Sequence, residues 1–503
     1  MPSPRPGRLD RRGLAAAAVV LVLVGGVAVF VLAHAPGNVS HPNVQFTPPT
    51  ATTAAPPRRP RVVDNFSWPW YGYDAGRTRN FSGPRQLQPP LHVGWRFFDG
   101  ALLEFPPTIY HQALYLLDDD ATARALRTTD GSVLWHRKLG TLSAASPAVA
   151  ARQRMVLMPI LSTTGHGQIP GHGRFVALSM QTGRIVWSRP LPAGSESSAI
   201  VDGDTVYFGD QSGTLYALRI RDGHLDWSYR ASGPIKGGPA LVSGVLYFGD
   251  YSGRAYAVRA ANGRQVWSVG TDGAHFGFGS GEFYSSPAVA FGRVYMGNTD
   301  GRVYSFGART GALAWATATR AYVYASPAVA DPPGVGPTVY LGSYDGNMYA
   351  FNAKSGAIRW AHPAGGKISG SATVVGKVLY YSDLGTRTTT GLALGSGKTV
   401  FSFSDGAFSP VVADYGAIYL DGYNQVYQML PGPPPATRHR RAPASRPRRP
   451  GSARHPGSAR RPGSARRPGS ARRPGSARRP GSARRPGSAR RPGSARRPGS
   501  KPR

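Results

Sequence analysis

One spacing recurs seven times in this sequence: an aromatic residue with a glycine four positions before it. The pairs are Gly131/Trp135, Gly183/Trp187, Gly223/Trp227, Gly263/Trp267, Gly311/Trp315, Gly356/Trp360 and Gly397/Phe401. Successive aromatics are 52, 40, 40, 48, 45 and 41 residues apart. A period near 40 residues is typical of proteins that stack copies of one supersecondary unit. The repeat predicts one large repetitive domain.

Each unit reads as a set of antiparallel strands, as the copy Pro239–Trp267 shows. Two short runs rich in Val and Tyr, Val245–Phe248 and Ala255–Val258, flank the polar turn Asp250–Gly253. A second turn, Asn262-Gly263, precedes the strand that ends in Trp267. Such runs, broken by Gly, Asp and Asn, indicate β-hairpins. Four strands in about 40 residues are the signature of a propeller blade.

The two ends of the repeat region predict how the ring closes. An eighth copy begins at Ser409-Pro410 and stops without a closing aromatic strand. Trp95 lies 40 residues before Trp135, inside Leu91–Phe98, with no blade in front of it. This N-terminal strand should complete the last sheet and remove its open edge. The predicted fold is all-β: an eight-bladed β-propeller of four-stranded antiparallel blades. Its predicted blade-docking aromatics are Trp95, Trp135, Trp187, Trp227, Trp267, Trp315, Trp360 and Phe401.

A third repeated position makes a family resemblance specific. The residue ten before each aromatic is small: Ala125, Ala177, Ala217, Ala257, Ser305, Ala350 and Gly391. The resulting Ala-x(5)-Gly-x(3)-Trp pattern resembles the tryptophan-docking repeat of the pyrroloquinoline-quinone (PQQ)-like propellers over about residues 64–430. The segment Trp68–Asp74 with Thr78-Arg79 also resembles the start of that family. The family includes quinoprotein alcohol dehydrogenases and non-enzymatic BamB-like members, so the resemblance predicts fold more strongly than function.

The resemblance also tells where a cofactor would lie. Enzymes of the family hold PQQ and calcium in the central funnel, usually with a vicinal cysteine pair, and this chain has no cysteine. The equivalent funnel positions are Glu104, Ala144, Ser195, Lys236, Tyr284, Tyr324, Ile368 and Ala407, with Glu196 and Glu282 nearby. Calcium prefers six to eight oxygen ligands. The funnel candidates are therefore Glu104, Glu196, Lys236, Glu282, Tyr284 and Tyr324, with no metal ligand, catalytic residue or cofactor predicted.

Three further polar segments contain residues that could form a site. His166 and His172 lie in the glycine-rich loop Ser162–Arg174, but two histidines fall short of a metal site. The loop Gly273–Tyr284, which carries His275, is the better binding candidate because recognition usually resides on loops. Asp118, Asp119 and Asp120 are expected at the solvated end of a hairpin.

The N-terminal residues predict a membrane anchor. Residues 1–13 carry four arginines, and residues 14–35 begin with a 20-residue apolar run, long enough to span a bilayer. Arginines before the span favour a cytoplasmic N-terminus and an extracytoplasmic propeller at residues 64–430. A cleaved signal peptide, cut after Ala33-His34-Ala35, is the alternative. The Pro- and Thr-rich linker 36–63 is expected to be disordered and to hold the ring off the membrane.

The C-terminal tail, residues 431–503, is a predicted disordered polycation. It repeats Arg-Arg-Pro-Gly-Ser-Ala and contains 22 Arg, one Lys and no acid, within a net charge of +35 for the whole chain. Its predicted partner is an anionic wall polymer or lipid, and an inert spacer is the alternative. Nucleic acid is disfavoured because the predicted topology places the tail outside the cytoplasm.

These features favour a membrane-anchored binding or scaffold module in the cell envelope. An atypical PQQ-dependent dehydrogenase and a small-ligand sensor remain the alternatives. The oligomeric state, the partner and the ring face that is used do not follow from the sequence.

Overall fold

The computed structural model describes residues 38–49, 66–84, 86–164, 173–271, 281–408 and 410–433. All regular structure in these ranges is β-strand. Within the same ranges, no helix has the length and apolar character needed to cross a membrane. The predicted span at residues 14–35 and the tail from residue 434 onward lie outside the described residues.

The described strands form eight sheets, one for each predicted blade. Four strands precede the first blade: β1 (Val39–Ser40), β2 (Ser67–Trp68), β3 (Asn80–Phe81) and β4 (Leu91–Phe98). Blades 1 to 4 contain β5 (Thr108–Tyr110), β6 (Ala113–Leu117), β7 (Thr122–Arg127), β8 (Val133–Lys138); β9 (Ala148–Ala150), β10 (Met155–Ile160), β11 (Arg174–Ser179), β12 (Ile185–Pro190); β13 (Ile200–Asp202), β14 (Thr205–Gly209), β15 (Thr214–Arg219), β16 (Leu225–Arg230); and β17 (Ala240–Val242), β18 (Val245–Gly249), β19 (Arg254–Arg259), β20 (Gln265–Gly270). Blades 5 to 8 contain β21 (Ala288–Ala290), β22 (Arg293–Gly297), β23 (Arg302–Gly307), β24 (Leu313–Ala318); β25 (Ala328–Ala330), β26 (Thr338–Gly342), β27 (Asn347–Asn352), β28 (Ile358–Pro363); β29 (Thr373–Val375), β30 (Val378–Ser382), β31 (Thr389–Ala393), β32 (Thr399–Phe403); and β33 (Val411–Ala413), β34 (Ile418–Asp421), β35 (Gln425–Pro431).

The ring closes as predicted. Strand β4 pairs antiparallel with β35, with Trp95 opposite Gln428, and becomes the fourth strand of blade 8. Every blade thus has four antiparallel strands of its own, and the open edge that the last blade would otherwise present is covered. Strands β1, β2 and β3 each add a fifth strand, to blades 5, 1 and 7 respectively, and β3 pairs parallel.

The small residue ten positions before each aromatic lies directly opposite that aromatic on the adjacent strand. Ala217 pairs with Trp227, and Ala257 pairs with Trp267. A larger side chain at this register would compete with the indole for the same face of the sheet. A fixed sequence spacing is therefore the consequence of one repeated cross-strand pair.

The glycine of the motif contacts the tryptophan of the preceding blade. Trp315 of blade 5 donates its Nε1–H to the Ala353 carbonyl of blade 6, at 2.9 Å, and its ring lies on Gly356 of that blade. The same arrangement joins blades 8, 1, 2, 3, 4 and 6 to the blades that follow them, through Trp95, Trp135, Trp187, Trp227, Trp267 and Trp360. Each of these seven indoles contacts two neighbouring blades, although Trp95, Trp187, Trp227 and Trp360 are half-buried. Phe401 at the eighth has no N–H to donate.

The ring has two faces that differ in their loops. The upper face carries the loop before each first strand and the turn between the second and third strands, as in the bond from Tyr251 N to Pro234 O. The lower face carries the first-to-second and third-to-fourth strand turns, as in the bond from Ala260 N to Gly244 O.

The segment Pro69–Arg79 fills the centre of the ring and is called the plug. Its carbonyl groups accept hydrogen bonds from the first strands of several blades, including Val149, Leu241 and Val329. Arg77 is fully buried and donates to the carbonyls of Tyr71, Pro239 and Ser198. Burial lowers the pKa of Arg77 to about 9, and these carbonyl oxygens stabilise the charge that remains.

Part of the predicted linker is ordered. Strand β1 pairs with β24 at the outer edge of blade 5, and residues 38–47, called the strap, continue onto the lower face. Buried Arg293 donates to the carbonyls of Val44 and Gln45 and lies 5.4 Å from the Phe46 ring. The prediction of a free linker over residues 36–63 is therefore wrong for the strap, because Val44 and Phe46 pack against the ring.

Candidate functional site

The upper-face loops meet around a cavity above the plug. Its atom-free volume is about 470 Å³ including open solvent, but only about 30 Å³ is wide enough for the centre of a water molecule. About 10–15 Å³ of such space holds one water. The residues lining it include five of the six predicted funnel residues: Glu104, Glu196, Lys236, Tyr284 and Tyr324. The sixth, Glu282, does not line it.

Glu196 is the centre of this site because three side chains donate to it. Lys236 Nζ is 2.9 Å and Gln211 Nε2 is 2.5 Å from its Oε1, and the Tyr284 hydroxyl is 3.1 Å from its Oε2. Glu196 is buried, and a buried carboxylate needs this degree of compensation. Lys236 also lies 4.9 Å from the ring centre of Tyr251, a cation–π distance. Glu196 and its three donors therefore form a closed network, which leaves little capacity to bind a further ligand.

Glu104 occupies a different electrostatic position in the same cavity. Burial raises its pKa to about 8, and repulsion by Asp119 and Glu196 adds to the shift, while Lys236 opposes it. Burial and the neighbouring Asp118 and Asp120 raise the pKa of Asp119 to about 7. At neutral pH, Glu104 is therefore mostly a protonated hydrogen-bond donor facing the cavity.

Aromatic side chains extend from the cavity across the upper face of blades 5 and 6. The rings of Tyr284 and Tyr324 are 5.4 Å apart and edge to face, and Tyr324 lies 4.8 Å from Tyr344. Tyr322 continues the row and is 54% exposed. Lys367 lies 5.4 Å from the ring centre of Tyr344. A row of tyrosines that ends in an exposed ring and lies beside a cation is typical of protein recognition surfaces.

The floor of the cavity comes from the plug, which sequence reasoning did not connect to the funnel. The Tyr71 hydroxyl is 2.9 Å from Ser371 Oγ, and the Arg79 guanidinium stacks 3.7 Å above the Tyr71 ring. Their signal in the sequence is the segment Trp68–Asp74 with Thr78-Arg79, which resembles the start of the family's domain. Its position in the centre of the ring could not be read from spacing alone.

The remaining funnel positions are part of the core. Ala144, Ile368 and Ala407 are buried, and buried Ser195 donates to the Gly209 carbonyl. His166, His172 and His275 lie outside the described residues.

The prediction that Asp118 lies at a solvated hairpin end is wrong. Asp118 is buried and accepts hydrogen bonds from Thr122 N and from Arg124, which also forms an ion pair with Asp99 at 2.9 Å. Asp421 of blade 8 is buried nearby, and neither of its carboxylate oxygens has a hydrogen-bond partner within the described part of the chain. Burial, followed by repulsion from Asp99, raises the pKa of Asp421 well above its usual value.

The cavity does not fit calcium and PQQ. Within the described ranges, no group of three or more His, Asp or Glu side chains is placed to hold a metal ion. Glu196 already has three donors, and calcium would need several more oxygen ligands. The space above Tyr71 accommodates a few waters, which is far below the size of a tricyclic quinone.

Comparisons with known proteins agree on the fold. The family model described as outer membrane protein assembly factor BamB matches residues 93–317, 230–360 and 326–422. The structure of BamB from Moraxella catarrhalis is similar, with a TM-score of 0.55 and 19% identity over 68% of this chain and 99% of that one. The quinohemoprotein alcohol dehydrogenase from Comamonas testosteroni has a TM-score of 0.58 and 12% identity, over 72% of this chain and 80% of that one. A europium-containing methanol dehydrogenase has a TM-score of 0.57 and 13% identity, over 73% of this chain and 98% of that one.

No curated protein sequence matches the chain. The structural likenesses are below 25% identity and establish the fold, whereas the family matches overlap and together run through most of the ring. By its repeats, its ring and these matches, the chain belongs to the PQQ-like β-propeller family described as outer membrane protein assembly factor BamB.

Proposed function

We propose that this protein is a membrane-anchored, extracytoplasmic propeller that binds other components of the cell envelope and catalyses no reaction. The observation that carries the proposal is the closed Glu196 network, in which Lys236, Gln211 and Tyr284 occupy the site where the enzymes of the family would hold a cofactor. The tyrosine row beside it, which ends in exposed Tyr322, provides a recognition surface on a rigid ring. The predicted span at residues 14–35 supports the location.

A quinone titration tests the non-enzymatic role. The purified full-length chain is mixed with PQQ and calcium, and quinone absorbance and dye-linked alcohol oxidation are measured. We expect no saturable binding and no turnover. Stoichiometric quinone binding with turnover would refute the proposal.

Site-specific photo-crosslinking in cells tests the binding role. A photoreactive residue replaces Tyr322 on the upper face or, as a matched control, Tyr415, which is 44% exposed on the lower face. We expect discrete crosslinked envelope species from position 322 and fewer from position 415. Crosslinking that is equal at both positions contradicts a role for the upper face.

The tail is proposed to add electrostatic adhesion to phosphate-bearing wall polymers or anionic lipids. Its arginines can bind phosphate groups with paired donors, and exposed charges are screened over about 8 Å at physiological salt. Deleting residues 436–503 is expected to abolish salt-sensitive sedimentation with anionic vesicles without changing the melting temperature. Equal sedimentation of both forms would make the tail a spacer.

A further inference from the structure

The strap shows that a blade of this ring can accept an additional strand. In blade 5, β1 lies along the outer edge strand β24, and the following residues occupy a lower-face cleft between blades 5 and 6. Covered by the strap, Ala314 of β24 is 0% exposed. Thr47 N donates to the Phe291 carbonyl, and Arg293 donates both to the strap and to the Lys354 carbonyl of blade 6. The cleft therefore binds a two-residue strand and the turn that follows it, through main-chain atoms and one aromatic anchor.

The repeat places an equivalent cleft between blades 1 and 2. About 760 Å³ of it is wide enough for the centre of a water molecule, and it is lined by Ala113, Leu134 and Gln181, among others. These three residues correspond to Arg293, Ala314 and Lys354 in the strap-filled cleft. The first of each set begins the second strand of its blade, the second precedes the docking tryptophan, and the third follows the residue whose carbonyl accepts the indole hydrogen bond.

The outer strand next to this cleft is an uncovered edge. Strand β8 is the last strand of its sheet, with no described strand beyond it. Val133 and Leu134 of β8 are each 45% exposed. Unpaired edge strands with apolar side chains readily add a further strand.

The charges around the cleft indicate what kind of segment it would take. Arg127, Arg152 and Arg154 line it and are exposed. Arg127 forms only a weak surface pair with Asp130, at 3.9 Å. On the inner side, the rings of Tyr110 and His111 stack 4.0 Å apart. His111 is at the register position of Phe291, whose ring contacts Phe46 of the strap. Acidic side chains and one aromatic anchor match these features.

We propose that the cleft between blades 1 and 2 binds an extended acidic segment, with one aromatic anchor, from a partner protein, which adds a strand to the outer edge of β8. The proposal deepens the binding role proposed above by naming a surface and a partner chemistry. The strap is the structural precedent, because its strand β1 already pairs with the equivalent outer edge of blade 5. The tyrosine row on the upper face is a separate surface.

Hydrogen exchange on the full-length chain provides a site-resolved test. The probe is a synthetic peptide of about twelve residues that alternates Val with Glu and carries one Phe, the pattern of an added strand. We expect the peptide to slow exchange of the segment 133–138 by about fivefold or more, because strand addition protects edge amides. The outer strand of blade 4, Gln265–Gly270, is the internal control and should be unaffected. Binding of the peptide to the basic tail would not protect β8.

Two exposed-residue variants make the test specific. Leu134→Glu places a negative charge in the cleft, where it repels the acidic peptide. Val266→Glu makes the same change on the outer strand of blade 4, where Val266 is 39% exposed. We expect L134E to remove the protection of β8 and V266E to retain it. The inference is overturned if the peptide protects neither strand, protects both equally, or protects β8 equally in the two variants. Quinone turnover would refute the non-enzymatic proposal without affecting this result.

Discussion

The contact between Gly356 and Trp315 provides a quantitative test of how the blades are held together. A Cβ added at Gly356 would lie 2.7 Å from Trp315 Cδ2 and 2.8 Å from Thr317 Oγ1. Real Cβ atoms do not approach other atoms so closely. Trp315 is 0% exposed and hydrogen-bonded to the next blade, so it has no room to withdraw. Gly356→Ala should therefore strain the junction between blades 5 and 6.

Gly334 is a matched control for the backbone conformation. Both glycines have a φ of 76°, but a Cβ at Gly334 would meet nothing within 4 Å. An alanine in this left-handed region costs about 1–2 kcal/mol at either position. Overpacking adds about 1–3 kcal/mol at Gly356 alone. We expect destabilisation of about 1–2 kcal/mol for Gly334→Ala and about 2–5 kcal/mol for Gly356→Ala.

Thermal and denaturant unfolding of the two variants measures the difference. Unfolding entropy grows with chain length, at about 2 cal/mol/K per residue, so each kcal/mol shifts the melting temperature of a ring this large by about 1–2 °C. Gly356→Ala should melt below Gly334→Ala by a few degrees and at a lower denaturant midpoint. If the two variants unfold together, the indole does not rest on the glycine and the docking argument fails.

Three further perturbations test other parts of the ring. Trp267→Ala, which removes a buried indole, should cost about 3–5 kcal/mol in unfolding free energy; an unchanged denaturant midpoint would contradict its docking role. Arg293→Met should release the strap and accelerate limited proteolysis before residue 66, whereas Arg309→Met, at an exposed site, should not; equal cleavage of both variants would show that Arg293 does not hold the strap. Asp421 has a raised pKa, so the folded state binds more protons than the unfolded state above about pH 4, and stability falls as pH rises toward the folded-state pKa. Asp421→Asn should therefore raise the melting temperature at pH 8 more than at pH 5. Equal increases at the two pH values would contradict a raised pKa for Asp421.

The parts of the fold that repeat could be predicted from the sequence. Eight blades and closure by Leu91–Phe98 follow from spacing alone, since each spacing reflects a cross-strand pair or a blade junction. The family resemblance implied that Glu104, Lys236 and Tyr284 face the funnel, and all three line the central cavity. The Glu196–Lys236 ion pair did not follow, since a position in the repeat does not give side-chain direction.

The parts that occur once could not be predicted in the same way. The plug and the strap make contacts across hundreds of residues, such as Arg293 with Val44, and no periodicity reports them. The composition of the linker predicted disorder because Pro and Thr outnumber its two anchoring side chains, Val44 and Phe46. Asp118 belongs to a run of three acids at a predicted hairpin turn, and this pattern predicts exposure to solvent. Only the fold places Arg124 beside it.

The unrepeated segments are where a repetitive ring acquires specific surfaces. Eight similar blades generate eight similar junctions, and symmetry alone gives a partner no reason to prefer one of them. The strap breaks this equivalence at blade 5, where Arg293 begins the second strand and binds the added segment, while Ala113 at the same register leaves the blade 1 cleft open. The plug does the same for the central cavity, since Tyr71 closes from below what would otherwise be a channel. Departures from the repeat, rather than the repeat itself, therefore identify the surfaces most worth testing for binding.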